Sequence, residues 1–237
     1  MKTDAVIFDL DDTLVAFDLV TESTWRQVCR EYVSGNPSVS LDAVFNMVTA
    51  ESREFWSDEE RHKTGRLDIL SARRAVVSSA FSKLGLPDGD ALALADRYSA
   101  QRLNNMYLMP GAEETLSVLR RRQIKLAMIT NGDSEIQRYK IDRFGLEKFF
   151  GYIMIEGEVG YGKPDKRIFE TAILRLGVAP ERAVMVGDNL EWDVGGPQAV
   201  GIKGIWFDVR RSGLPPDTHV VPTAIITSLD QLRGFLD

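Results

Sequence analysis

Ala5-Val6-Ile7-Phe8-Asp9-Leu10-Asp11-Asp12-Thr13 is a four-residue apolar run that leads straight into a cluster of acids, Asp9, Asp11 and Asp12. A run apolar on both faces and rich in β-formers reads as a fully buried strand of a parallel sheet. Acids placed where such a strand ends fall on the carboxyl rim, the edge at which open α/β sheets bind ligands. Crowding carboxylates there costs free energy through like-charge repulsion. A position that carries that cost commonly holds a cation or performs chemistry.

The same pattern recurs along the chain at Ile124–Thr130, Tyr152–Ile155, Ala183–Asp188, Gly204–Phe207 and Ala224–Ile226. Helical patterns fill the gaps. One unit opens at Pro110-Gly111. Another carries Ile168, Phe169, Ala172, Ile173 and Leu176 on one face and stops at Gly177. Strands alternating with helices imply an α/β fold with a parallel, doubly wound sheet. The segment 17–107 differs, because it contains no buried-strand pattern. It reads as helices over roughly 18–34, 41–57, 67–84 and 90–106, with Leu41, Val44, Phe45 and Val48 forming one amphipathic face. The expectation is a catalytic core from 1–16 and 108–237 interrupted by a helical cap, 17–107, that rises from the rim and can act as a lid.

Four spots fall at strand ends or in the loops after them: Asp9 with Asp11, Thr130-Asn131-Gly132, the Lys163 loop, and Asp188. A parallel sheet brings such ends to one edge. An ionised Asp9 can attack phosphorus without a separate base, and Asp11 can protonate the leaving oxygen and then activate water. Asp12 reads as a turn residue, with Thr13 capping the next element. Asp188 would complete an oxygen-only cation site, a donor set that favours Mg²⁺. Asp193 either holds the metal's waters or orients the lysine, or else is a solvated helix residue. Thr130 and the amides after it form either an anion site at a helix N-terminus or an ordinary cap through Asp133 or Ser134. Lys163, fixed between glycines and Pro164, suits a point charge on a phosphate or on the nucleophile. In the cap, Phe17, Trp25, Trp56 and the cluster Arg61-His62-Lys63-Arg66 either meet a substrate or, as the plainer reading, fill a core and a solvated face.

Composition narrows the chemistry. A formal net charge of -6 gives no reason to expect nucleic acid as a partner. A single cysteine, Cys29, excludes an intrachain disulfide and a cysteine-rich zinc site. Two histidines far apart, His62 and His219, supply a Ser-His-Asp device poorly. Carboxylates, hydroxyls and lysines remain. No apolar stretch approaches the roughly 20 residues of a membrane helix, so no membrane partner is expected. Met1-Lys2-Thr3-Asp4 runs directly into the first strand and leaves no room for a signal peptide, so the expected location is cytoplasmic.

At these residues the chain resembles the haloacid dehalogenase-like (HAD) hydrolase superfamily. The matching motifs are Asp9-Leu10-Asp11-Asp12-Thr13, Thr130-Asn131-Gly132, Lys163-Pro164-Asp165 and Gly187-Asp188-Asn189-Leu190-Glu191-Trp192-Asp193, in the superfamily's order. The resemblance implies a Rossmann-like sheet with a helical cap inserted after the first motif. It implies Asp9 as nucleophile and metal ligand, and Asp11 as general acid/base that lends its backbone carbonyl to the metal. It implies Thr130, Asn131 and Lys163 as phosphate binders, Asp188 as a metal ligand and Asp193 as a supporting acid. The run Ile129-Thr130-Asn131-Gly132-Asp133 with Gln137 downstream is similar to the N-acylneuraminate-9-phosphatase and nucleotidase-like branches. The expected activity is Mg²⁺-dependent hydrolysis of a small phosphorylated metabolite through an aspartyl phosphate. The alternatives are a phosphomutase, a 2-haloacid dehalogenase and a non-enzymatic phospho-acceptor module. An acid at position 11 favours phosphoryl transfer over carbon–halogen cleavage, because an ester oxygen gains from a proton as it leaves and a halide does not.

Overall fold

A computed structural model of the chain describes residues 3–235. These residues form two compact units, one made of the chain up to Ala16 and from Tyr107 onward, the other Phe17–Met106.

The first unit is built on strand β1, Ala5–Phe8, all four residues buried. A two-residue strand, β2 (Val15–Ala16), follows and pairs antiparallel with β3 (Tyr107–Leu108). Tyr107, expected in the insert, is thus tied by its backbone to Ala16. The other strands are β4 (Lys125–Thr130), β5 (Tyr152–Ile155), β6 (Ala183–Gly187), β7 (Lys203–Phe207) and β8 (Ala224–Ile226). The main sheet is parallel, in the order β5-β4-β1-β6-β7-β8. Ala5, Ile7, Ala127, Ile129, Ala183 and Met185 alternate along their strands, so they share one face of the sheet. That face packs with the inward stripe Ile168, Phe169, Ala172 and Leu176 of a helix.

The second unit is helical: α1 (Thr21–Gly35), α2 (Leu41–Ser57), α3 (Glu59–Gly65), α4 (Ile69–Leu84) and α5 (Asp88–Asn105). Side chains cap α2, α3 and α4: Ser40, Asp58 and Asp68 accept from the amides of Ala43, Arg61 and Ser71. Its core holds Val28, Cys29, Val44, Phe45, Val48, Val77, Phe81 and Leu94. Trp25 is buried and stacks on Tyr98 at 3.6 Å. Phe17 is buried beneath the Arg102 guanidinium. Trp56 meets Phe55 and His62 edge-on. Arg61 and Lys63 are exposed. Phe17 and Trp25 are therefore packing residues, whereas Trp56 is half-buried.

The first unit adds the helices α6 (Ala112–Arg121), α7 (Ser134–Arg143), the one-turn α8 (Glu156–Val159) and α9 (Lys166–Leu176). Asp133 caps α7 by accepting from Ile136 N–H at 2.9 Å. Asp165 caps α9, and Gly177 closes it in the left-handed conformation. Among the described residues, no helix is long and apolar enough to cross a membrane.

Candidate active site

Register brings the candidate residues together. Phe8 lies beside Met128 on one side and Val186 on the other. Asp9, Thr130 and Asp188 therefore leave the sheet close to one transverse line. The chain leaves β1 toward β4 and β5, then crosses to β6 and continues outward to β7 and β8. The winding thus reverses between β1 and β6, the switch point at which such sheets open a crevice.

Asp9 is anchored by its own amide, which donates to Val186 O at 2.9 Å. Its Oδ1 accepts from Lys163 Nζ at 2.5 Å and its Oδ2 from Thr13 Oγ1 at 3.3 Å. Thr13 thus serves the Asp9 carboxylate rather than capping a helix; α1 begins only at Thr21. Lys163 also donates to Asp193 Oδ1 at 2.6 Å. Asp193 is fully buried, which removes the solvated-helix reading. Its second oxygen accepts from Asn189 N–H at 3.0 Å. It sits on a π-helical turn, Leu190–Gly195, packed over the end of β6. The approach is so close that a Cβ on Gly187 would lie 2.2 Å from Asp193 Oδ2.

Lys163 is surrounded by charge of the opposite sign. Burial alone would push its ammonium down, but Asp193 and Asp9 outweigh that and hold it above its ordinary value. The Asp9 carboxyl is raised from 3.8 to about 7: burial lifts it most, Lys163 pulls it back, and Asp193 and Asp11 push it up. Asp188 is also pushed well above the ordinary carboxylate range, first by burial and then by Asp9, Asp193 and Asp12. One lysine does not balance these acids. Asp9, Asp188 and Asp193 each offer an oxygen, and these oxygens lie within 4.8 Å of one another. Two buried carboxylates and a half-buried one, in excess of cationic partners and with hard oxygen donors only, fit a divalent cation such as magnesium.

Asp11 takes a different direction. Both its oxygens accept from Lys140 Nζ, at 2.7 and 2.8 Å, and Oδ2 also accepts from Gln137 Nε2 at 3.0 Å. Asp12 adopts a left-handed turn conformation, φ 54°, and is buried with the Arg210 guanidinium 3.6 Å away. Thr130, at the end of β4, accepts from Gln137 Nε2 at 2.5 Å. Gly132 N–H donates to Glu156 Oε2 at 3.0 Å. That amide and the capped one of Ile136 are therefore already bonded. Asn131 works through its side chain: Nδ2 donates to Lys163 O and Oδ1 accepts from Lys163 N–H, each at 2.7 Å. This two-way clamp fixes the lysine loop to the end of β4.

Lys140 and Glu156 escaped the sequence reading, and Gln137 entered it only as part of a motif. The signal was present. Gln137, Lys140 and Ile141 fall at i, i+3, i+4 on α7 and all three are buried, so two polar residues occupy positions where an apolar stripe is the rule.

Comparison with known proteins gives the family. The profile of the haloacid dehalogenase-like hydrolases matches residues 3–201. Phosphoserine phosphatase of Thermus thermophilus is 34% identical over 247 residues, covering 96% of each chain. Pyrimidine 5'-nucleotidase YjjG of Escherichia coli is 29% identical, covering 100% of this chain and 99% of its own. Among solved structures, the magnesium-bound HAD-hydrolase YfnB of Bacillus subtilis covers the whole of both chains with a TM-score of 0.76 at 23% identity. On the match across most of its length, this chain belongs to the haloacid dehalogenase-like hydrolase family.

Proposed function

We propose that the protein is a magnesium-dependent phosphatase that hydrolyses a small phosphate monoester through a phosphoaspartate on Asp9. The observation that carries this is the buried carboxylate of Asp9 at the switch point, bonded to Lys163 and within reach of two further acid oxygens. The names of the relatives, a phosphoserine phosphatase and a pyrimidine 5'-nucleotidase, support a small phosphorylated substrate.

Asp9, Asp188 and the Asp11 main-chain carbonyl would hold the ion, with Asp193 beside them. When bound, the ion neutralises charge on the transferring phosphoryl group. The chain's own residues perform the rest. Asp9 attacks phosphorus as the bond from phosphorus to the ester oxygen breaks, and Asp11 gives that oxygen a proton. Asp11 then takes a proton from a water that attacks the phosphoaspartate, which frees phosphate and restores Asp9. Thr130 Oγ1 accepts from Gln137 and donates only a long bond, 3.5 Å, to Asn131 O, a proton it can turn to a bound phosphate. Lys163 adds a fixed positive charge, held in place by Asn131 and Asp193.

The test is turnover of p-nitrophenyl phosphate by purified protein with magnesium and with chelator. Turnover is expected only with the metal, and Asp9→Asn is expected to abolish it. Absence of turnover in the wild type, or an Asp9→Asn variant as active as wild type, defeats the reading.

A further inference from the structure

We infer that Lys140 is a positioning residue for Asp11; this rests on the phosphatase reading above. Asp11 lies on the loop between β1 and β2, where nothing in the sheet fixes its side chain. Lys140 is 1% exposed and donates to both Asp11 oxygens, at 2.7 and 2.8 Å. Gln137, one helical turn earlier, adds a third bond to the same carboxylate. Two donors from one helix fix both torsions of the aspartate. The same Gln137 amide reaches Thr130 Oγ1 at 2.5 Å and Asn131 O at 3.0 Å. Helix α7 therefore ties the acid/base to the end of β4, where the phosphate binder sits. Burying a lysine is expensive unless it is paired, and the partner chosen here is the residue that must deliver a proton to one atom. Misplacing such a group by about 1 Å can cost on the order of 100-fold in rate.

The role predicts a selective defect. In the first half-reaction the Asp11 proton passes to the ester oxygen as the phosphorus–oxygen bond breaks and the Asp9–phosphorus bond forms. A strongly basic leaving oxygen needs that proton, whereas dinitrophenolate departs without it. Lys140→Met and the milder Lys140→Gln, which keeps a donor, are to be compared with wild type in saturating magnesium. The substrates are phenyl phosphate and 2,4-dinitrophenyl phosphate, and inorganic phosphate serves as the inhibitor. Lys140→Met is expected to lower kcat/KM for phenyl phosphate by about 10- to 100-fold. The change for the dinitrophenyl ester should be no more than about 3-fold, with the phosphate inhibition constant unchanged. Lys140→Gln should shift the ratio in the same direction by less. Slower water activation should also give Lys140→Met a pre-steady-state burst of dinitrophenolate. Equal losses on both esters, or no loss on either, overturns the assignment and leaves Lys140 a packing residue. If Lys140→Met does not fold, the ratio of the two esters in Lys140→Gln decides in its place. A wild type inactive on both esters overturns the phosphatase reading, and the role of Lys140 with it; an active wild type with an unshifted ratio in the variants overturns only the latter.

Discussion

Asp9 and Asp11 are two residues apart, yet the fold treats them in opposite ways. Asp9 is buried among acids, and its carboxyl is raised from 3.8 to about 7. The sign follows from linkage. A raised carboxyl binds its proton more tightly in the folded chain than in the unfolded one. Its contribution to stability is complete below pH 3.8 and is lost as pH rises through about 7. Magnesium-free protein should therefore lose stability from this group between those limits. Asp9→Asn, which cannot ionise, should melt higher than wild type at pH 8 in chelator, by roughly 3 °C or more. Asp11→Asn should do the reverse, because it takes from buried Lys140 the carboxylate bound through both oxygens. The expected loss is about 1–2 kcal/mol, roughly 3–6 °C, discounted because the Asp11 side chain is 28% exposed. Both variants should be inactive, so thermal melts in chelator separate what activity cannot. Asp9→Asn melting lower than wild type at pH 8 would contradict the raised carboxyl. At this scale Asp9, Thr130 and Asp188 were legible because each stands at or just beyond a strand end, where sequence position translates into place, and Lys163 because it lies between glycines and a proline in the segment after β5 and α8. The partner of Asp11 was not. A lysine in a helix is ordinarily solvated, and only the tertiary structure brings residue 140 to residue 11.

Among elements, legibility followed length. The main-sheet strands were readable from apolar runs, as were the long helices with a continuous stripe. The strands β2 and β3 are two residues each, too short for any period. Helix α3 has seven residues and α8 four, which leaves no room for a repeated face. The π-helical turn Leu190–Gly195 was equally invisible, although the acid it carries was noted. That turn and β6 meet where Gly187 has no side chain. A Cβ there would lie 2.2 Å from Asp193 Oδ2 and 2.3 Å from its Cγ, so Gly187→Ala must displace the carboxylate that holds Lys163. The lysine's other anchor, Asp9, would then act alone. Gly187→Ala is expected to keep the sheet, by circular dichroism, and to lower kcat by about 100-fold or more through misplacement of Lys163. A variant with wild-type turnover would mean that Asp193 can move without consequence.

The described residues divide into two compact units, and the candidate metal residues and the single cysteine lie in different ones. Cys29 is fully buried in the helical unit, and burial pushes its thiol up to about 12. At pH 8 the reactive thiolate is therefore present at roughly one part in 10⁴, and alkylation must wait for that unit to open. Asp9, Asp188 and Asp193 belong to the sheet unit. A ligand that binds only the folded state stabilises by mass action what its binding requires. Saturating magnesium should thus raise the urea midpoint for loss of turnover. The midpoint for iodoacetamide labelling of Cys29, followed by mass spectrometry at the same urea concentrations, should stay within experimental error. The chain passes between the units only at Ala16–Phe17 and Met106–Tyr107, so each core can be lost without cutting through the other. Equal shifts of the two midpoints would mean that the two units unfold in one cooperative transition.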